Sequence, residues 1–276
     1  MTSPSLSLAF CRLILVSIFA TASCAIAQTA KPILSLPAII SKPGRYLVKT
    51  DLVLKKSATA AITILADDVT LDLGGSVISH TLPTGTDIEG ISTEAHGGIK
   101  VINGTVRGFT TGIRLNSNSA VVSGIAVEDV RIERSAEVGI QLIGETMSVK
   151  RCVITNTGST QANQAYGLVL DGAFATASDN DILSTLVAPG LQSEGMHCSV
   201  LACVLENNRV LNEQSARGSV GIFAGFTSNY LVENNRIAGF AAGLKFTGSG
   251  TPKYRNNFTT DCATPYTSGT DAGNNK

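Results

Sequence analysis

The chain has 276 residues, with 21 Lys and Arg against 21 Asp and Glu, so its formal net charge is zero; 43% of it is hydrophobic, yet it holds no Trp. Charge balance argues against nucleic acid as the main partner, since phosphate-binding proteins carry a basic excess. The length fits one domain, and beyond the N-terminus no hydrophobic stretch is long enough to hold the chain in a membrane.

Residues 1–27 read as an export signal. Arg12 precedes an apolar run from Leu13 to Ala22, and Ala25-Ile26-Ala27 offers a small-residue cleavage site before Gln28. About ten apolar residues are too few to span a bilayer. Cleavage removes Arg12 and leaves 20 basic and 21 acidic residues, a mature chain in the periplasm or secreted, with no transmembrane anchor. Cys24 opens the alternative of a lipidated cysteine, against which stands Thr21, where such signals resemble one another in carrying Leu. Residues 28–60, with Pro32, Pro37 and Pro43, are expected to form an N-terminal capping region. Residues 61–262 are expected to form the folded repeat and 263–276 a loose polar tail.

Strand signals begin with Val69, Leu71 and Leu73, which alternate with polar or small residues, as do Ile99 and Val101. They continue as Ile113-Arg114-Leu115, Ile140-Gln141-Leu142, Leu168-Val169-Leu170 and Leu244-Lys245-Phe246. A period of two means strands with one face buried. The apolar members, with Ile222, should therefore fill a bore, while Arg114, Gln141, His197 and Lys245 face water. Gly followed by an aliphatic residue marks each unit, at Gly90, Gly112, Gly139, Gly167, Gly195, Gly221 and Gly243, at intervals of 22, 27, 28, 28, 26 and 22. From marker to a second aliphatic position (Val106, Ile132, Ile154, Ile182, Val210, Ile237) the spacing is 16, 20, 15, 15, 15 and 16. The remainder varies from 6 to 13 residues. A coil of fixed strands with one variable loop behaves this way.

Leu205-Glu206-Asn207-Asn208-Arg209-Val210 recurs 27 residues later as Val232-Glu233-Asn234-Asn235-Arg236-Ile237. Aligned on it, Asn180, Asn208, Asn235 and Asn257 share one column, with Asp179, Asn207, Asn234 and Asn256 beside them. Asn tolerates left-handed backbone angles, and its amide donates to one coil and accepts from the next. The column reads as a structural ladder closing a turn. Ser76, Gly104, Val130 and Cys152 hold the position in earlier coils, so the ladder covers the C-terminal half.

The segments Pro43-Gly44-Arg45-Tyr46, Asp68-Val69-Thr70-Leu71-Asp72-Leu73-Gly74-Gly75 and Val101-Ile102-Asn103-Gly104-Thr105-Val106, with the two repeated motifs, resemble the pectate-lyase-like superfamily of right-handed parallel β-helices. Within it they resemble extracytoplasmic carbohydrate-associated and periplasmic copper-system β-helix proteins. The resemblance covers roughly residues 35 to 260 and implies an all-β solenoid of about eight to nine coils. It carries no catalytic group, because the shared motifs are turn and core chemistry.

Candidate chemistry follows from the columns. Glu206 and Glu233 sit on adjacent coils, about 5 Å apart at the backbone, near the carboxylate spacing of retaining glycosidases. They share a column with Gly74, Ile102, Glu128, Lys150, Ser178 and Arg255, and Arg209, Arg236 and Arg255 are expected to neutralise them. His197 is a further candidate base: its in-column neighbours Val169 and Phe223 offer no carboxylate, although Glu194 is near in sequence. His80, His96, Asp87, Glu89 and Glu94 show no metal-ligand spacing, and neither a metal nor a cofactor is expected. Cys198 and Cys203 flank one corner and could pair or remain buried thiols. Cys152 and Cys262 lie about four coils apart, beyond disulfide reach.

The long segments 155–166, 183–194 and 211–220 should stack along one edge. Their Gln161, Gln164, Tyr166, Gln192, Glu194, Glu213, Gln214 and Arg217 suit sugar hydroxyls. The expected function is polysaccharide binding or processing along that edge. An enzyme of this kind would be a lyase or glycoside hydrolase, and the motifs of polygalacturonases, pectate lyases and alginate epimerases are absent. The alternative is a non-enzymatic envelope scaffold or adhesin-like module whose partner is an envelope protein.

Overall fold

The computed structural model describes residues 29–81, 87–117, 123–158, 164–185, 191–213, 218–225, 229–248, 250 and 252–276. The proposed signal therefore lies outside the described residues. No described residue is helical. Three parallel ladders wind around one bore. The first joins Ala38–Ile40, Ala60–Ile64, Glu89–Thr93 and Thr111–Asn116 to the leading parts of three long strands, Val138–Lys150, Gln164–Ser178 and Gln192–Glu206. It continues through Val220–Ala224, Ala242–Phe246 and Thr264–Thr267. The trailing parts of the long strands belong to the second ladder, which starts at Lys31–Ile33 and ends at Thr270–Asp271. The third runs through nine strands of the described residues, from Leu52–Leu54 to Phe258–Thr260.

The alternating pattern sets the register. Ile113, Leu115, Ile140, Leu142, Leu168, Leu170, Ile222, Leu244 and Phe246 are all buried in the bore, while Arg114, Gln141, His197 and Lys245 between them reach the surface. Parallel pairing puts Leu115 on Leu142, Leu142 on Leu170 and Leu170 on Cys198. Like residues thus stack coil upon coil, and an apolar column forms with each added unit.

The marker glycines have a steric cause. A Cβ on Gly139 would come within 2.4 Å of the Gly167 carbonyl oxygen, one on Gly167 within 2.6 Å of that of Gly195, and one on Gly195 within 2.7 Å of that of Gly221. The same Cβ atoms would meet Ile154, Ile182 and Val210 at 2.5, 2.4 and 2.2 Å. Those are the aliphatic residues at the constant spacing from each marker. Each coil closes where its third-ladder aliphatic residue packs on its own glycine, and no other residue leaves room.

The asparagine ladder is continuous. Asn180 donates to Asn208 Oδ1 at 2.9 Å, Asn208 to Asn235 at 3.0 Å and Asn235 to Asn257 at 3.0 Å. Each Oδ1 also accepts a backbone N–H from the preceding coil, beginning with Cys152 on Asn180 at 2.9 Å. The left-handed backbone belongs to the neighbouring column: Asp179, Asn207, Asn234 and Asn256 have φ of 58°, 56°, 58° and 55°. The two asparagines of the motif therefore divide the work, one turning the chain and the other filling the turn with hydrogen bonds.

Both ends differ from the sequence expectation. Residues 31–33, 38–40, 44–48 and 52–54 already occupy the ladders, so the stack begins before residue 61. Residues 263–276 are not a loose tail. Thr264–Thr267 and Thr270–Asp271 extend the first two ladders, and Asn275 Oδ1 accepts from Asn257 N at 3.0 Å. Tyr254 and Tyr266 stack with ring centroids 5.2 Å apart, an aromatic plug over the end of the bore.

Candidate functional site

The three long segments leave the third ladder and enter the first, so they deliver side chains to one edge. There Gln164 pairs in register with Gln192, Tyr166 with Glu194 and Glu194 with Val220. Gln161, Gln214 and Arg217 lie outside the described residues, and Glu213 is exposed.

At this edge the sequence reading underestimated His197. Glu194 is 1% exposed, and its carboxylate accepts from Gln192 Nε2 at 2.5 Å and from His197 Nδ1 at 2.7 Å. A carboxylate on Nδ1 assigns the tautomer and leaves Nε2 as the ring nitrogen open to a ligand. The imidazole stacks on Phe223, 4.9 Å between centroids at 16°, and meets Tyr166 edge-on at 5.5 Å. Burial, then the charge of Glu194, pushes the Tyr166 phenol upward. It stays protonated and donates to Gln164 Oε1 at 3.1 Å. Gln192, Glu194, His197, Tyr166 and Gln164 thus form one oriented polar group bracketed by aromatic rings.

The missed signal was the spacing of Glu194 and His197. In a regular strand residues three apart lie on opposite faces. Here pairing runs from Tyr166 on Glu194 to Leu168 on Met196 without Gly195. The chain bends at the marker glycine, which returns Glu194 to the side of His197.

A groove of about 390 Å³ crosses the outer face of the first ladder from Asp87 and Arg114, over Gln141, to Gln164, Tyr166 and His197. A second, about 320 Å³, continues past Gln192, Glu194 and Phe223 to Lys245. Arg114 is engaged by Glu89 at 3.1 Å and Glu94 at 3.4 Å, and the Glu89 hydrogen bond first raises its pKa. Glu89, Asp87 and Glu137 also line the first groove, so its charge does not favour a polyanion. A larger hollow of about 670 Å³ follows Arg209, Arg236 and Phe258 on the third ladder. It is the gap between stacked surface side chains, and Arg209 there is held by Asp181 at 2.7 Å.

The other candidates do not assemble a site. Glu206 and Glu233 are in register, but Glu233 accepts from Arg255 Nε at 2.5 Å, and Arg209 turns to Asp181, not to Glu206. Asp72 takes the position in that column expected for Gly74, because Gly74 lies beyond the strand in a left-handed turn of φ 60°. His96 Nδ1 lies 3.2 Å from Asp67 and His80 Nε2 2.5 Å from the Gly108 carbonyl. Among the described residues no three His, Cys, Asp or Glu gather as metal ligands.

A family model described as a right-handed β-helix region matches residues 89–275. A search of curated proteins found no matching relative. Among solved structures, the catalytic unit of a thermostable GH87 α-1,3-glucanase from Streptomyces thermodiastaticus strain HF3-3 is similar at 12% identity and TM-score 0.39, over 87% of this chain and 63% of that one. A GH87 α-1,3-glucanase catalytic domain in complex with nigerose gives 11% and 0.32, over 85% and 64%. The A-module of the Azotobacter vinelandii mannuronan C-5 epimerase AlgE4 gives 13% and 0.24, over 88% and 77%. The chain spans less than two thirds of both glucanase chains.

Proposed function

The chain belongs to the right-handed β-helix family, and from that premise we propose that it is an exported protein that binds polysaccharide across the outer face of the first ladder, where the long segments enter. The observation that carries the reading is the Gln192–Glu194–His197 chain, set between Tyr166 and Phe223 in a groove. Apolar ring faces beside fixed donors and acceptors suit a sugar, which presents both C–H faces and hydroxyls. Tyr166 and Phe223 supply the platform that a chain without Trp otherwise lacks. Acidic lining favours neutral sugars over uronates. Processing, where it occurs, would use His197 Nε2 as general base, oriented by Glu194.

The test is a glycan array probed with the mature protein, followed by titration of the best neutral glycan into the combined variant Gln164→Ala, Gln192→Ala and Gln214→Ala. Binding should be abolished while the variant still folds, with a fall in melting temperature from the loss of the Gln192 hydrogen bond to the buried Glu194 carboxylate. Full binding by the folded variant would move the site elsewhere. Export is read from residues 1–27 and is checked by fractionating cells that express the full chain.

One observation favours a second reading. Phe174 and Leu201 are 57% and 54% exposed, and Phe174 borders an apolar hollow of about 410 Å³ with Ala202, Val204 and Leu231 on the second ladder. Such a patch suits a protein partner in the envelope. Failure of every glycan to bind would favour that scaffold role.

A further inference from the structure

Four cysteines fall in the described residues, all unbonded, and two of them meet. Cys198 ends the first-ladder part of its long strand and Cys203 follows Ala202 at the start of the second-ladder part. The corner between them turns both side chains into the bore, where they are 1% and 2% exposed. In the coils below, the same positions hold Leu170 with Ala175 and Leu142 with Met147. The wall at this corner is otherwise made of apolar side chains. Here the two Sγ atoms are 2.7 Å apart.

That distance decides between the two chemical states. A disulfide places its sulfurs about 2.05 Å apart, a small side-chain rotation from the present positions, whereas two unbonded sulfurs repel when this close. Cys152 and Cys262 show how thiols sit here without a partner: their Sγ atoms lie 3.4 Å from the Lys150 and Thr260 carbonyls. The corner is also fixed independently, since Tyr230 from the next coil accepts from Val200 N at 3.0 Å and donates to the Gly225 carbonyl at 2.6 Å. With the backbone held, the sulfurs have little room to separate.

We propose that Cys198 and Cys203 are joined by a disulfide in the mature protein, a covalent clasp at the corner immediately following His197. Its formation oxidises two thiols: the S–S bond forms, two protons leave, and two electrons reduce a disulfide-bearing oxidant to a pair of thiols. The attacking species is a thiolate, and burial pushes the Cys198 thiol well up once the protein is folded. Cys198 and Cys203 are 1% and 2% exposed, so the folded chain shields the link from reductants. The inference goes beyond the glycan reading and does not depend on it.

The test needs only the unmodified mature protein. It is refolded from the reduced, denatured state with reduced and oxidised glutathione, unfolded in denaturant with an alkylating agent, and mapped by mass spectrometry. The expected map shows Cys198 and Cys203 linked, lighter by two hydrogens and unalkylated, with Cys152 and Cys262 alkylated. Treating the refolded protein with a phosphine reductant should leave the link intact until denaturant is added. Alkylation of both Cys198 and Cys203 after oxidative refolding, or linkage of either to Cys152 or Cys262, would overturn the proposal. So would rapid reduction of the native protein.

Discussion

Asn235 shows how much a single side chain does in this fold. Its Oδ1 accepts from Asn208 N at 2.9 Å and from Asn208 Nδ2 at 3.0 Å, and its Nδ2 donates to Asn257 Oδ1 and to the Leu205 carbonyl. All of this happens at 0% exposure, so replacing it by Leu strands buried donors and acceptors on two coils. Asn235→Leu should cost about 1 to 3 kcal/mol for each partner left unpaired, read as a fall in the thermal midpoint. An unchanged midpoint would contradict the ladder. The repeat made these asparagines legible, because identical motifs at one period must stack. The His197 site was not legible in the same way: its carboxylate lies three residues away, on the wrong side of a straight strand, and becomes a partner only because the chain bends at Gly195.

Among the elements, the first ladder joins the bore to the surface. Leu142 is fully buried and Gln141 beside it half-buried. Leu142→Ala should lose roughly 2 to 5 kcal/mol through the cavity it leaves, and Gln141→Ala well under about 1 kcal/mol, in chemical denaturation. Equal losses would mean that the register is wrong. On the third ladder Glu133 is bound by Arg131 and by Arg107, the latter at 2.6 Å. The Arg131 hydrogen bond, then that of Arg107, holds its carboxyl below the usual carboxylate range of about 4.5. A depressed folded pKa contributes stability above the unfolded value and loses it as pH falls through the folded one. Thermal midpoints of Glu133→Gln should therefore decline less than those of the unmodified protein from neutral pH to about pH 3, and parallel curves would remove the ion pair from the account. Strand identity and register were readable from alternation. The C-terminal strands were not, since Thr264–Thr267 and Thr270–Asp271 lack apolar alternation and are recruited by backbone pairing and by Tyr266.

For the whole molecule, stacking converts a repeat into a surface. Coils of fixed strands fix the ladders, so differences in length are confined to the edge where the variable segments enter. The described ends of three segments distant in sequence thereby lie side by side, with Gln164 beside Gln192, Tyr166 beside Glu194 and Glu194 beside Val220. The most direct test is side-chain footprinting by hydroxyl radicals, with and without a saturating neutral glycan identified on the array. The account predicts protection of Tyr166, His197 and Phe223, with Phe174 and Leu201 as reactive as before. Protection of Phe174 and Leu201 with Tyr166 and His197 unchanged would contradict it.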